Sequence, residues 1–282
     1  TPRNAPCLLK IMAKKFSSAN LLRFAIRKKN NLSQHMKNIF LTILALTMVA
    51  CTSNKNNDLF ETITYSTQIN NDKIHLIYDF DAEIQLPNKN HSSEYTTLHN
   101  NIIASILGSE FTNLTNKKLL SAYADSSYTE YKKVYDEIYE NNPIEATDTI
   151  HCSTEIQGKV LYSDTTIVSY QRTLYTYTGG AHGMNTKMNY VFNIKTGKQL
   201  SEEEIFGKDF ERKIQKRLIE KANILRQQNM LPEEDMFYSN SDITPNGNFA
   251  LTDSSIIYTF NPYEIAPYCF GIIDIEVMRN GE

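Results

Sequence analysis

The 282-residue sequence has no tryptophan, only four cysteines and no long apolar run. The most hydrophobic stretch, Ile39 to Ala50, contains twelve apolar or small residues, whereas a helix that spans a bilayer needs roughly 20. This stretch is therefore more typical of a removable leader than of a membrane span. Because the chain has 17 tyrosines and no tryptophan, we expect aromatic packing by tyrosine rings over a modest core.

The motifs of several enzyme classes are also missing. The sequence has no G-x-S-x-G elbow, no H-E-x-x-H helix and no Walker or dinucleotide-binding glycine pattern. The five histidines after residue 50 are not closely paired in sequence. We therefore predict no catalytic constellation, no metal and no cofactor, and interpret the protein as a non-enzyme.

The region around the apolar stretch predicts a lipoprotein signal. Met36-Lys37 provides a start and a positive charge, and Met48-Val49-Ala50-Cys51 resembles a lipobox. We predict a signal peptide over residues 36–50, lipid attachment at Cys51 and a polar tether over residues 51–58. Residues 1–35 are interpreted as an upstream extension that is not native. The predicted location is the bacterial cell envelope, with the protein held in the membrane by its lipid; a transmembrane regulator is the alternative.

Removal of the leader changes the charge balance. Residues 1–50 contain nine basic and no acidic side chains, which leaves 20 basic and 32 acidic side chains in residues 51–282, a net charge of −12. Such a chain repels nucleic acid and favours cationic partners. The simpler interpretation is that the charge only keeps the protein soluble.

Two cysteines remain after processing, Cys152 and Cys269. A disulfide between them would close a long loop and stabilise the fold in an oxidising compartment. Two separate buried thiols are the alternative, and nothing in the sequence fixes the distance between them.

Hydrophobic periodicity predicts the secondary structure. Apolar residues occupy even positions from Lys73 to Leu86, which indicates a strand with one packed and one solvated face. Two helices should follow, the second capped by Asn116 and carrying a tyrosine stripe that we interpret as core. Gly158 is expected in a turn, and Ser201 with Glu204 predicts a capping box.

The order of these elements favours an α+β fold, with antiparallel strands and grouped helices, because regular βαβ alternation is absent. We predict two intimately packed α+β modules, an N-terminal module over residues 59–178 and a C-terminal module over residues 179–282.

Three acidic residues share the solvated face of the predicted strand: Asp79, Asp81 and Glu83. Next neighbours on one face lie about 6.6 Å apart along a strand. They are interpreted as solvated surface, as a contact face for a basic protein, or as a carboxylate pair for sugar hydrolysis or weak cation binding.

A distinctive string, Tyr175-Thr-Tyr-Thr-Gly-Gly-Ala-His-Gly183, stands between two predicted strands, and Pro262-Tyr-Glu-Ile-Ala-Pro267 stands near the C-terminus. Together the strings resemble the RsiV-like exported domains, which pair domains of unknown function numbered 4163 and 3298. The resemblance covers about residues 59–278. It implies a lipoprotein-type member of this family. The ligand is uncertain because the relatives differ: some bind lysozyme, and others are fused to a polysaccharide deacetylase. An enzyme or accessory acting on peptidoglycan, and an anti-sigma-type sensor, are the alternatives.

The residues of the first string also support a local interpretation. Gly179 and Gly180 permit backbone angles that other residues avoid, and His182 can order the connection through its ring nitrogens. The string is interpreted as a structural turn or as a binding loop formed by Tyr177, Gly179, Gly180 and His182. A role for His182 as a catalytic base is the least favoured alternative.

Lipidation makes a direct prediction. In the native host, labelled palmitate should be incorporated into the protein, and Cys51→Ser should abolish the label because the acceptor thiol is lost. Cys152→Ser should keep the label, since that thiol is not the predicted acceptor. A labelled Cys51→Ser protein would contradict the assignment.

Overall fold

The structure, a computed structural model, describes residues 59–141, 149–228, 230–231 and 242–279. The predicted leader, the tether and Cys51 lie outside the described residues, so lipidation stays a prediction. Across these ranges, no helix combines the length and apolar character needed to cross a bilayer. All of the described residues fall within one compact unit, residues 55–282.

Within the described ranges the chain forms eight strands, four α-helices and two short 3-10 helices, which confirms the predicted α+β class. The strands are β1 (Phe60–Asn71), β2 (Leu76–Pro87), β3 (Ile150–Ser163), β4 (Ile167–Thr178), β5 (Met184–Asn193), β6 (Phe249–Leu251), β7 (Ser255–Phe260) and β8 (Ile273–Met278). The helices are α1 (Ser93–Ile106), α2 (Asn116–Asn141), α3 (Glu202–Phe206) and α4 (Phe210–Gln227), with 3-10 turns at Ser109–Phe111 and Tyr268–Phe270.

The strands form two sheets. The larger sheet has the order β1-β2-β3-β4-β5, and the smaller has the order β6-β7-β8. All pairs are antiparallel except β2 with β3, which are parallel because α1 and α2 form the crossover between them. Strand β5 completes the larger sheet, although its residues belong to the predicted C-terminal module.

The first core lies between the larger sheet and the helices α1 and α2. The even-numbered side chains of β2 are buried there, as the alternation predicts; they are Leu76, Tyr78, Phe80, Ala82, Ile84 and Leu86. The strand begins at Leu76 rather than at the predicted Lys73, because a turn with His75 at φ 46° precedes it. The tyrosine stripe of α2 packs against this core, which confirms its structural role; the Tyr131 ring lies 5.2 Å from that of Tyr78.

The second core lies on the other face of the larger sheet. There Ile167 of β4 and Val191 of β5 pack with the small sheet and α4. Hydrogen bonds fix this contact: the Asn189 backbone N–H donates to Asn248 Oδ1 at 2.8 Å, and its side-chain amide donates to Thr259 Oγ1 at 2.8 Å. The small sheet therefore covers β4, β5 and the end of β3 at Tyr162 on this face, and leaves β1, β2 and the rest of β3 open.

The structure tests three local predictions. Ser201 and Glu204 form the expected capping box. The second helix is present, but Asn116, predicted as its cap, is the first residue of α2, and its side-chain amide donates to Glu61 Oε1 at 2.9 Å. Cys152 is a free, buried thiol, so the disulfide with Cys269 considered from the sequence is not formed. The remaining alternative for Cys152, a separate buried thiol, is what the structure shows.

The turn predicted at Gly158 is wrong. Gly158 lies inside β3, opposite Arg172 of β4, and a Cβ there would overlap the hydroxyl of Tyr170 and lie 3.0 Å from Ile84 Cγ2. Glycine is needed because two large side chains from neighbouring strands pack directly against its backbone in the first core. This requirement comes from residues distant in sequence, so no local pattern reveals it.

This close approach predicts a coupled pair of mutations. Gly158→Ala should lower the free energy of unfolding by about 1–3 kcal/mol, since the methyl group overpacks the core. Tyr170→Phe should be nearly neutral, because the buried Tyr170 hydroxyl has no hydrogen-bond partner among the described residues. In the Tyr170→Phe background, Gly158→Ala should lower the free energy of unfolding by a smaller amount, which urea unfolding measures. Equal costs in the two backgrounds would contradict the proposed overlap.

Candidate functional site

The open half of the larger sheet is the candidate site. It consists of the strand surfaces of β1, β2 and β3 on the face opposite α1 and α2. Odd-numbered side chains of β2 and β3 and even-numbered side chains of β1 point to this face, because the opposite set is buried beneath the helices.

The register of the strands concentrates carboxylates on this face. Asp79, Asp81 and Glu83 alternate along β2, as the sequence predicts, and the parallel pairing places Glu155 of β3 directly beside Asp81. Adjacent strands lie about 4.8 Å apart, so these two carboxyl groups are near neighbours. Sequence reasoning missed Glu155, since no local pattern reveals which residue of a distant strand pairs with Asp81.

Two of the predicted acids line a groove in this face, which we call the acidic groove. Its volume is about 320 Å³. The lining residues are Ser66, Thr67, Gln68, Asp79, Phe80, Asp81, Ser153, Thr154 and Glu155. Three of the nine are carboxylates and none is lysine or arginine. Glu83 lies one step further along β2 and is not part of the lining.

No cation among the described residues pairs with the carboxylates of the acidic groove. Asp79 accepts a hydrogen bond from Gln68 Nε2 at 2.7 Å, but none of Asp79, Asp81 and Glu155 has an ion pair within the described ranges. Ionised carboxylates only accept hydrogen bonds, and like charges this close repel each other. A ligand with positive charge and several N–H donors would donate hydrogen bonds to the carboxylates and offset their mutual repulsion.

Tyrosines border the acidic groove on the β4 side. Tyr177 is opposite Ser153, and Tyr175 is opposite Glu155, so both rings belong to the same face as the carboxylates. Both side chains are partly exposed. Because guanidinium groups stack favourably on tyrosine rings, this border suits an arginine beside the carboxylates.

The Gly-Gly-Ala-His string forms the connection from β4 to β5, as predicted. Gly179 has φ 74°, and Tyr177 Oη donates to the Gly180 carbonyl at 2.9 Å. The exposed His182 ring stacks on Tyr268, with ring centroids 4.2 Å apart and an interplanar angle of 24°. The Tyr268 hydroxyl in turn donates to the Gly183 carbonyl. The connection is thus tied to the C-terminal region, and of the predicted loop residues only Tyr177 borders the acidic groove.

Buried titratable groups lie elsewhere. Burial lowers the pKa of His99 to about 4 and raises that of the Cys152 thiol, which keeps the thiol protonated and unreactive. Neither residue lines the acidic groove. In the described part of the chain, no three His, Cys, Asp or Glu side chains are arranged to hold a metal ion.

Comparison with known families divides the chain into two regions. Residues 55–185 match the family model described as "Deacetylase PdaC", and residues 195–280 match "Protein of unknown function (DUF3298)". The predicted similarity to domain 3298 is therefore confirmed for the C-terminal region. The N-terminal match includes every residue of the acidic groove.

Two solved structures share the fold. A DUF3298 family member from Bacteroides fragilis NCTC 9343 is 22% identical with a TM-score of 0.65, and one from Pseudomonas aeruginosa PAO1 is 17% identical with a TM-score of 0.50. Each alignment covers 78% of this chain and 89% of the other chain. No curated protein matches the sequence significantly.

The stack between His182 and Tyr268 predicts how the β4–β5 connection is ordered. Tyr268→Ala should loosen the connection because both the stack and the hydrogen bond to Gly183 are lost, and NMR order parameters of residues 180–183 should fall. Tyr268→Phe keeps the ring and should preserve most of the order. Unchanged order parameters in Tyr268→Ala would show that the connection does not depend on this contact.

Proposed function

We propose that this protein is a non-enzymatic, lipid-anchored binding protein of the bacterial cell envelope, and that its acidic groove receives a cationic macromolecule. The observation that carries the proposal is the groove itself, in which three carboxylates converge without a neutralising cation from the described chain. Its volume suits one or two inserted side chains better than a large organic ligand.

The charge of the remaining chain supports a cationic partner. Residues 51–282 carry a net charge of −12, so long-range attraction accelerates the approach of a basic protein. The groove then provides the local contact, because lysine or arginine side chains can donate to several carboxylates at once. Binding of this kind weakens with salt, since the Debye length falls to about 10 Å at 0.1 M.

Lysozyme-like muramidases are the partner class that we propose first. They are basic proteins that reach the cell envelope, and the sequence strings noted above resemble RsiV-like domains, some of which bind lysozyme. Attachment through Cys51 would hold the acidic face outside the membrane, where such a partner arrives.

A second candidate is an enzyme or accessory that acts on peptidoglycan. It is favoured by the concave, polar groove at Asp79 and by the match of residues 55–185 to the model named for a deacetylase. Acetate or sugar release from purified peptidoglycan that is lost in Asp79→Asn would establish this activity; product formation equal to that of heat-treated protein would reject it.

Neutralising the acidic groove tests the binding function. The triple variant Asp79→Asn, Asp81→Asn, Glu155→Gln should bind lysozyme about threefold to 150-fold more weakly at low ionic strength, since three exposed charge pairs contribute roughly 0.2–1 kcal/mol each. Isothermal titration calorimetry at two salt concentrations measures both the affinity and its salt dependence.

A matched control separates the groove from net charge. Asp125→Asn, Glu130→Gln, Glu211→Gln removes the same charge from exposed helical positions and should retain most of the affinity. If the two triple variants lose affinity equally, only net charge matters and the groove is not the site. If the unmodified protein does not bind at low salt, lysozyme is the wrong partner.

A further inference from the structure

The two edges of the larger sheet, β1 and β5, are treated differently by the fold. An edge strand exposes unpaired N–H and C=O groups that can pair with another chain, and natural proteins usually block it. The contrast between the edges shows which one is available.

The β5 edge is occupied from Lys187 to Asn193. The Lys187 N–H donates to Asn261 Oδ1 at 2.7 Å, and the Asn189 N–H donates to Asn248 Oδ1 at 2.8 Å. The segment that follows β5 folds back on the rest of this edge: Leu200 N donates to the Val191 carbonyl at 2.7 Å, and Asn193 N donates to the Lys198 carbonyl at 2.9 Å. No further strand can pair with β5 while these contacts hold.

The outward groups of β1 can be identified from its pairing with β2. Asn88 N donates to the Leu59 carbonyl at 2.8 Å, which makes the odd-numbered residues of β1 the hydrogen-bonded partners of β2. Pro87 has no backbone N–H. It lies opposite Phe60 in a pair that makes no mutual backbone hydrogen bonds, which agrees with this assignment. The even-numbered residues of β1 therefore direct their backbone groups away from the sheet.

Nothing in the described chain occupies this edge. No hydrogen bond from the described residues reaches the backbone N–H or C=O of Thr62, Thr64, Ser66 or Gln68, whose side chains are exposed. The usual protective devices are missing as well, because the twelve residues of β1 contain no proline, no lysine and no bulge in the pairing with β2.

This open edge borders the acidic groove. Ser66 and Gln68 belong to the outward-directed set and also line the groove beside Asp79 and Asp81. A strand added to β1 would lie about 10 Å, or two strand spacings, from β2. A lysine or arginine of that strand, pointing to the open face, would reach across Ser66 or Gln68 to the carboxylates.

We propose that β1 accepts an extended basic segment of a partner protein as a sixth strand. Main-chain hydrogen bonds to the even-numbered residues of β1 provide the affinity, and basic side chains at every second position of the segment enter the acidic groove. The mode rests on the proposed function, since it specifies how a cationic partner binds. A second copy of this chain is the weaker occupant, because its own β1 has no basic residue to offer.

The test uses the full chain and two synthetic twelve-residue peptides. One alternates lysine with threonine, and the other is a methylated control with the same residues in which every backbone amide is N-methylated, which keeps the charge but removes all main-chain N–H donors. We expect the first to bind at least tenfold more tightly. Thr64→Pro should weaken its binding at least tenfold, because an outward N–H is lost while the pairs with β2 remain. Thr64→Ala is the matched control and should bind within about twofold of the parent chain.

Amide hydrogen exchange measured by NMR gives a second readout. On binding of the lysine-threonine peptide, the amides of Thr62, Thr64, Ser66 and Gln68 should become protected, whereas the intervening amides are already paired with β2. Equal binding of both peptides, or binding without this alternating protection, would overturn strand addition. Protection that appears on raising the protein concentration alone would assign the edge to a second copy and would also overturn the proposal.

These outcomes are distinguishable from failure of the binding function itself. If lysozyme binding depends on the acidic groove but the alternating protection is absent, strand addition is wrong and the binding function stands. If neither the peptides nor lysozyme binds at low salt, the function proposed for the groove is wrong.

Discussion

Two-residue alternation along β2 determines both the first core and the acidic surface on the opposite face of the sheet. Its even-numbered side chains fill the first core beneath α1 and α2, so its odd-numbered side chains must point to the opposite face. A shift by one residue would bury Asp79 and Asp81 and expose Tyr78 and Phe80. The acidic surface is therefore fixed by the same register that builds the core.

Parallel pairing of β2 and β3 turns these separate acids into a site. The helical crossover brings Glu155 beside Asp81, and no cation of the described chain offsets the group. Repulsion between the carboxylates costs stability, but burial of the even-numbered side chains outweighs it because aromatic and aliphatic residues each contribute about 1.5–3 kcal/mol. The small sheet covers β4 and β5 but not this half, so the acids stay accessible.

The sequence was sufficient for the fold class, for the two helices that follow β2 and for most of β2 itself, because strong periodicity determines these elements locally. Strand β1 was missed although Ile63, Tyr65 and Ile69 alternate, since Thr67 interrupts the apolar series. Gly158 was misread as a turn because its role depends on Tyr170 across the sheet. Likewise Asp79 and Asp81 were recognisable from spacing, but Glu155 and the open edge depend on which strands become neighbours.

In the proposed function, a cationic macromolecule binds to the open half of the larger sheet. Chemical-shift mapping of the isotope-labelled protein with unlabelled lysozyme tests it most directly. Perturbed amides should cluster on β1, β2 and β3, around Gln68, Asp79 and Glu155, and the perturbations should disappear at high salt. Perturbations confined to the helices or to the β4–β5 connection at His182 would contradict it.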